Sequence, residues 1–269
     1  MAKLSTVELR GAKTLLTGAT GGIGRTLART LAAHGADLVL TGRRAELLEP
    51  LAAEVGGRAV PADLTERDAV EELLAGAGEI DLVVANAALP ATGLLADYSL
   101  DEVDRALEVN LRVPVVMAKL VAEQMMARRR GHLVFISSLS GKTASGQASL
   151  YNATKFGLRG FALALREDLR AFNVGVSSVF PGYISDAGMF ADSGATLPFG
   201  VGTRTPDEVA RATVRAIEHN LAEIDVAPFG LRMTALLGGI APGLAAAVQR
   251  RLGAEAITEQ LAEGQRAKR

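Results

Sequence analysis

Seven short apolar runs recur along the chain: KTLLTG, ADLVLTG, GRAVPAD, IDLVVAN, GHLVFISS, VGVSSVF and AEIDVAP. They are rich in Val and Leu and do not alternate with polar residues, the pattern of strands buried on both faces. Between them, segments such as 23–34, 44–55 and 65–75 have the composition and length of helices. Strands alternating with helices specify right-handed crossovers, and so an α/β domain with a doubly wound parallel sheet of about seven strands and helices on both faces. In such sheets ligands bind beyond the carboxyl ends of the strands. The chemistry is therefore expected immediately after the apolar runs.

At 269 residues, with 49% hydrophobic and 22% charged residues, the chain can bury one large core and contains no internal repeat. A net charge of -1 gives no global attraction to nucleic acid. Arg128, Arg129 and Arg130 precede a glycine, where cations complement a helix C-terminus. Without cysteine there is no disulfide framework, thiolate metal site or catalytic thiol. His34, His132 and His219 are scattered along the chain, so no metal site is expected. The opening MAKLSTVELRGAK lacks an apolar core followed by a cleavage site, which makes the cytoplasm the expected location.

Two stretches carry candidate chemistry. TGATGGIG, residues 17–24, joins the first strand to a helix. Its glycines let backbone approach a phosphate, and the helix start offers free N–H groups and a positive dipole end. SLYNATK, residues 149–155, sets Tyr151 four residues before Lys155, on one face of a helix. An ammonium beside a phenol favours the phenolate and draws it toward the range useful for proton transfer. Taken alone, the same pair also fits a buried ring beside a solvated amine. Ser138 stands thirteen residues before Tyr151, in FISSLSG.

In this order, T-G-x-x-x-G-x-G, then the serine, then Tyr-x-x-x-Lys, the chain resembles the short-chain dehydrogenase/reductase family over residues 10 to about 228. The resemblance implies a single-domain Rossmann fold over residues 1–228, with a substrate loop at 183–203. It makes Tyr151 the general acid/base, Lys155 the group that lowers its pKa and holds the nicotinamide ribose, and Ser138 the hydrogen-bonding partner of the substrate oxygen. Ser137 is expected to be structural. Asn110, in ALEVNLRVP, matches the family's fourth active-site residue inside the long helix after strand four, where its amide would position a lysine-bound water; a packing amide is the other reading.

The resemblance also assigns cofactor contacts to Thr17, Gly18, Thr20, Gly21, Gly22, Ile23 and Gly24 in the first turn, and to Asp63 and Leu64 after strand three. Asp63 would bind the adenine ring, although capping a helix that begins at Thr65 competes for it. Asn86, Ala87 and Ala88 stand in the family's N-N-A-G, with Ala85 and Ala88 replacing its first Asn and its Gly. Pro181, Gly182 and Ile184 follow strand six, Ile184 approaching the nicotinamide amide. Asp186 stands where many members carry threonine, and is expected to point away from the diphosphate. At the end of strand two, VLTGRR has Gly42 where NAD-preferring relatives place an acid, and Arg43 and Arg44 follow. A guanidinium there pairs with a 2'-phosphate, so NADP(H) is the expected cofactor, ahead of NAD(H).

The loop 183–203 carries Tyr183, Met189, Phe190, Leu197 and Phe199, which suggests a hydrophobic carbonyl or alcohol substrate or, equally, mere anchoring of the loop. Residues 229–269 form an extension packed on the same domain. Its apolar run at 235–248 is too short and too broken by Gly and Pro to span a bilayer. A lid, an interface or a shallow membrane contact flanked by Arg232, Arg250 and Arg251 are its candidate roles. By resemblance, a homodimer or homotetramer is expected through the helices at about 100–128 and 150–172. The function implied is an NADP(H)-dependent oxidoreductase. The competing reading is a redox sensor that binds NADP(H) without catalysis, and retention of Ser138, Tyr151, Lys155 and Asn110 argues against it.

Overall fold

A computed structural model describes residues 7–198, 201–251 and 253–268. Seven strands form one parallel sheet: β1 (Lys13–Thr17), β2 (Asp37–Thr41), β3 (Arg58–Ala59), β4 (Leu82–Ala85), β5 (Gly131–Ile136), β6 (Val174–Pro181) and β7 (Glu223–Val226). Their order is β3-β2-β1-β4-β5-β6-β7. Every strand coincides with one of the apolar runs. The central ones, β4, β5 and β6, are buried at every position, as sheet covered on both faces requires.

Helices cover the two faces. On one, α1 (Gly22–Ala33) buries Leu27, Ala28 and Leu31 and packs beside α7 (Pro206–Glu218), which contributes Val209, Val214 and Ile217. The helix α2 (Ala45–Val55) lies on the same side through Leu48 and Leu51. On the other, α3 (Ala69–Ala77), α5 (Val113–Arg128) and α6 (Ser149–Arg170) bury Leu73, Met117, Val121, Leu158 and Ala162. A capping box of Ser99 with Glu102 opens α4 (Leu100–Leu107), and one of Thr205 with Glu208 opens α7.

Two details depart from the expected elements. The helix after β3 begins at Ala69, not Thr65, because Asp63 first closes a turn: its Oδ1 accepts from Thr65 N at 3.0 Å and from Thr65 Oγ1 at 2.9 Å. The long helix after β4 is also interrupted, by a π-turn at Glu108–Arg112. Residue 114 is proline and cannot donate to the Asn110 carbonyl four residues back. The chain widens by one residue there, Val113 N donating to Glu108 O.

Beyond β7 come α8 (Phe229–Ile240), α9 (Pro242–Arg251) and α10 (Ala254–Gln265), which fold back over the carboxyl edge of the sheet. Among the described residues no helix is long and apolar enough to cross a membrane.

Candidate active site

Strand order reverses between β1 and β4, and the turns leaving these two strands border a cleft of about 710 Å³. Gly18, Thr20, Gly21, Gly22, Ile23 and Gly24 line it from the first turn, and Arg43, Arg44, Asp63, Leu64, Asn86, Ala87 and Ala88 line it as well. Gly18 has a φ of +64°. A Cβ on it would meet Ala87 Cα at 2.8 Å, so the turn can lie this close to the β4 turn only as glycine. Gly24 is equally confined, because a Cβ there would overlap the Gly18 carbonyl oxygen.

Thr17 does not line the cleft; it is buried, and its hydroxyl accepts from the backbone N–H groups of Asn86 and Ala87, both at 3.0 Å. Asn86 returns the brace: its Nδ2 donates to the carbonyls of Thr17 and Gly18, both at 3.1 Å. Thr17 thus takes part in a cross-strand tie between the two turns. The amide nitrogen of Asn86 is spent on the same tie.

Arg43 and Arg44 are exposed, and neither guanidinium has a partner among the described residues. Asp186 is exposed with a φ of +67°, accepts from Ser185 Oγ at 2.7 Å, and lines neither cleft.

A second cavity, of about 300 Å³, continues from the first past Ile23, Asn86 and Ala88. Ser138, at the turn after β5, and Tyr151 and Lys155, one turn apart on α6, all face it. The Lys155 Nζ lies 5.7 Å from the Tyr151 ring centroid and donates to the Ile136 carbonyl at 3.2 Å. Burial lowers Lys155 to a pKa of about 8. Burial also raises the Tyr151 phenol above its ordinary value, and the nearby Ser138 hydroxyl partly offsets this. The expected lowering of Tyr151 by the ammonium is therefore not what this pocket produces: loss of water around the phenol outweighs its neighbours. Ser137, expected to be structural, holds a buried hydroxyl with no partner among the described residues, at the rim of the same cavity.

Asn110 is buried and lines neither cavity. Its Oδ1 accepts from Leu89 N at 2.6 Å and its Nδ2 donates to Leu89 O at 2.9 Å. In this structure the amide thus fastens the chain leaving β4, the packing role that was the other reading of this residue.

The family model described as short chain dehydrogenase matches residues 12–198. The chain belongs to this family. It is therefore an oxidoreductase with the family's NAD(P)-binding fold. Among curated relatives it is 35% identical over 227 residues to the ketoacyl reductase HetN of a Nostoc species, covering 81% of this chain and 79% of that protein. It is 32% identical over 261 residues to the bovine dehydrogenase/reductase SDR family member 7B, covering 88% and 79% respectively. Among solved structures, a short chain dehydrogenase/reductase family protein superposes with a TM-score of 0.74 at 31% identity, covering 82% of this chain and 97% of that one. A metagenomic short-chain oxidoreductase in complex with NADP gives 0.69 at 32% identity, covering 82% and 99%.

The second cavity draws on residues inside the family match and on others beyond its end at residue 198. From the substrate loop, Tyr183, Met189 and Phe190 line it, together with Pro198 and Val201. Leu197 does not, and Phe199 lies outside the described residues. The extension closes the other side with Leu231 and Thr234 from α8, Gln249 from α9, and Ile257, Leu261 and Gln265 from α10. It is tied down by Gln260 Oε1, accepting from Thr196 N at 2.9 Å, and by Gln265 Nε2, donating to Met189 O at 3.0 Å. These extension residues were not anticipated individually. The apolar pair Ile257 and Leu261, one helical turn apart, was the signal available. In the first cavity Arg105 and Val109, also one turn apart, were missed in the same way.

Proposed function

We propose that the protein is an NADP(H)-dependent oxidoreductase that moves hydride between nicotinamide and a hydrophobic ketone or aldehyde, or the corresponding alcohol, with Tyr151 as general acid/base. The observation that carries this reading is the convergence of Ser138, Tyr151 and Lys155 on one apolar cavity continuous with the glycine-walled cleft.

The residues present fit a dinucleotide. The turn at 18–24 comes close to its surroundings only because it lacks side chains, and it opens the N-terminus of α1, an anion-binding arrangement. Gly42, Arg43 and Arg44 offer cations and no acid where a 2'-phosphate would rest, which favours NADP(H). Lys155 is assigned to the nicotinamide ribose, and Pro181, Gly182 and Ile184 to the ring's edge. The bound nicotinamide supplies or accepts the hydride.

All other chemistry falls to the chain. Ser138 donates a hydrogen bond to the substrate oxygen, where charge develops. Tyr151 Oη gives that oxygen its proton in reduction and removes it in oxidation. Lys155, lowered to about 8, stands at the pH where it can pass a proton on. The apolar lining from Phe190, Ile257 and Leu261 selects a hydrophobic substrate.

Exposed Leu100 and Leu107 on α4, with Phe156 and Leu163 on α6, support assembly as a homodimer or homotetramer through those helices.

The test is a nicotinamide fluorescence titration with NADPH and NADH, followed by a panel of ketones and aldehydes graded by chain length and ring size. Tighter binding of NADPH and turnover of the longer or cyclic compounds are expected. Equal affinity for the two nucleotides overturns the phosphate assignment, and binding without turnover across the panel overturns the catalytic one.

A further inference from the structure

The outer face of the lid is unexplained by the cavity beneath it. Phe229, Met233, Leu236 and Ile240 are spaced by four, three and four residues and form one stripe along α8, and α9 carries a further exposed leucine, Leu244. All five are exposed, Phe229 at 74% and Ile240 at 75%. Isolated apolar side chains are ordinary on a surface, whereas a continuous stripe marks a contact. The opposite side of α8 is already committed, with Ala235 buried and Leu231 and Thr234 facing the second cavity.

Charge says what kind of partner fits. Between Asp225 and Glu255 the sequence contains no acidic residue, while Arg232, Arg250 and Arg251 are exposed and have no ion-pair partner among the described residues. We propose that α8 and α9 dock this face on an anionic lipid surface. Neither helix is long enough to cross a bilayer, so they lie in its plane, with the apolar stripe in the acyl boundary and the arginines at the phosphates. A second copy of this chain fits less well: two-fold pairing through the stripe would bring the arginines toward their own copies, with no carboxylate on α8 or α9 to compensate. One consequence rests on the oxidoreductase reading: since the inner side of α8 lines the substrate cavity, docking would let a lipophilic carbonyl compound enter from the lipid phase.

Vesicle flotation of the full chain tests the docking without any turnover, so its failure is distinguishable from failure of the proposed activity. Vesicles of phosphatidylcholine containing phosphatidylglycerol are compared with vesicles of phosphatidylcholine alone, at low and high salt. Partition to the anionic vesicles is expected to be on the order of a hundredfold stronger, the effect of three arginines near a charged surface, and to fall with salt. Phe229→Glu combined with Ile240→Glu should abolish flotation, and Arg232→Glu combined with Arg250→Glu should remove the preference for anionic lipid. Both variants alter exposed positions and should keep the thermal unfolding and NADPH titration of the parent. Absence of flotation, or flotation indifferent to either variant, overturns the proposal. So does a wild-type oligomer that the Phe229/Ile240 variant splits while no vesicle is bound, which would assign the stripe to a second copy.

Discussion

The two cavities of this molecule are built in opposite ways. The larger has one wall of glycine backbone, where a side chain at Gly18, Gly22 or Gly24 would collide, and is braced by Thr17 and Asn86 between β1 and β4. The smaller is walled by side chains drawn from β5, α6, the loop after β6 and three helices beyond the family match. A dinucleotide presents the same phosphates and ribose to every protein that binds it, so a wall of N–H groups suffices. A substrate must be told from its competitors, and only side-chain shape does that. The glycine turn that walls the first cavity is a local piece of sequence, whereas the second cavity takes its lining from β5, α6, the loop after β6 and three C-terminal helices.

The sharpest separation of the two cavities is chemical. Tyr151→Phe should lower turnover by roughly 10²- to 10⁴-fold, the range for loss of a general acid/base, while a fluorescence titration shows NADPH affinity unchanged. Loss of nucleotide affinity in that variant would mean that the two cavities are not independent. Arg43→Ala should do the reverse, weakening NADPH by about 10- to 100-fold and NADH hardly at all, as expected for one lost charge-assisted bond.

Glycines offer a comparison of packing. Gly24→Ala forces a methyl group into the Gly18 carbonyl and the Ala19 backbone, and should cost about 1–3 kcal/mol by denaturant titration. Gly239→Ala on α8 meets nothing within 4 Å and should be neutral or slightly stabilising. If the two substitutions cost the same, the contrast between a confined turn and an open lid is wrong.

Lys155 has a signature in pH. Its folded pKa of about 8 lies below the ordinary lysine value of 10.5, so between these values the unfolded chain binds more protons than the folded one. Stability relative to Lys155→Met should therefore rise with pH from about 8 to 10, by up to about 1.4 kcal/mol per pH unit. A flat difference in denaturation midpoint across that window would contradict the burial of a charged lysine. Ile257→Ala should raise KM for a hydrophobic substrate by roughly tenfold with unchanged NADPH affinity, which would place α10 in selectivity only.

Much of this was legible from residue order. Seven apolar runs became seven strands, and the turn at 17–24 fell on the β1–α1 junction, because period, glycine spacing and helix starts are local properties. Even the π-turn had a local cause, the proline four residues after Asn110. What stayed hidden depended on partners remote in sequence. Thr17 turned out to brace Asn86, Asn110 to fasten Leu89, and Gln260 and Gln265 to hold the substrate loop. The pKa of Tyr151 is the plainest case: the sequence shows a lysine one turn away, but only the folded cavity supplies the loss of water that raises the phenol against the Ser138 hydrogen bond. The chain by itself thus determined the sheet, the family and the candidate side chains of the site, since short-range pattern encodes them. Tertiary structure decided which of those side chains face a cavity, which act as struts, and how each titrates, since burial and long-range hydrogen bonds exist only once the chain has closed.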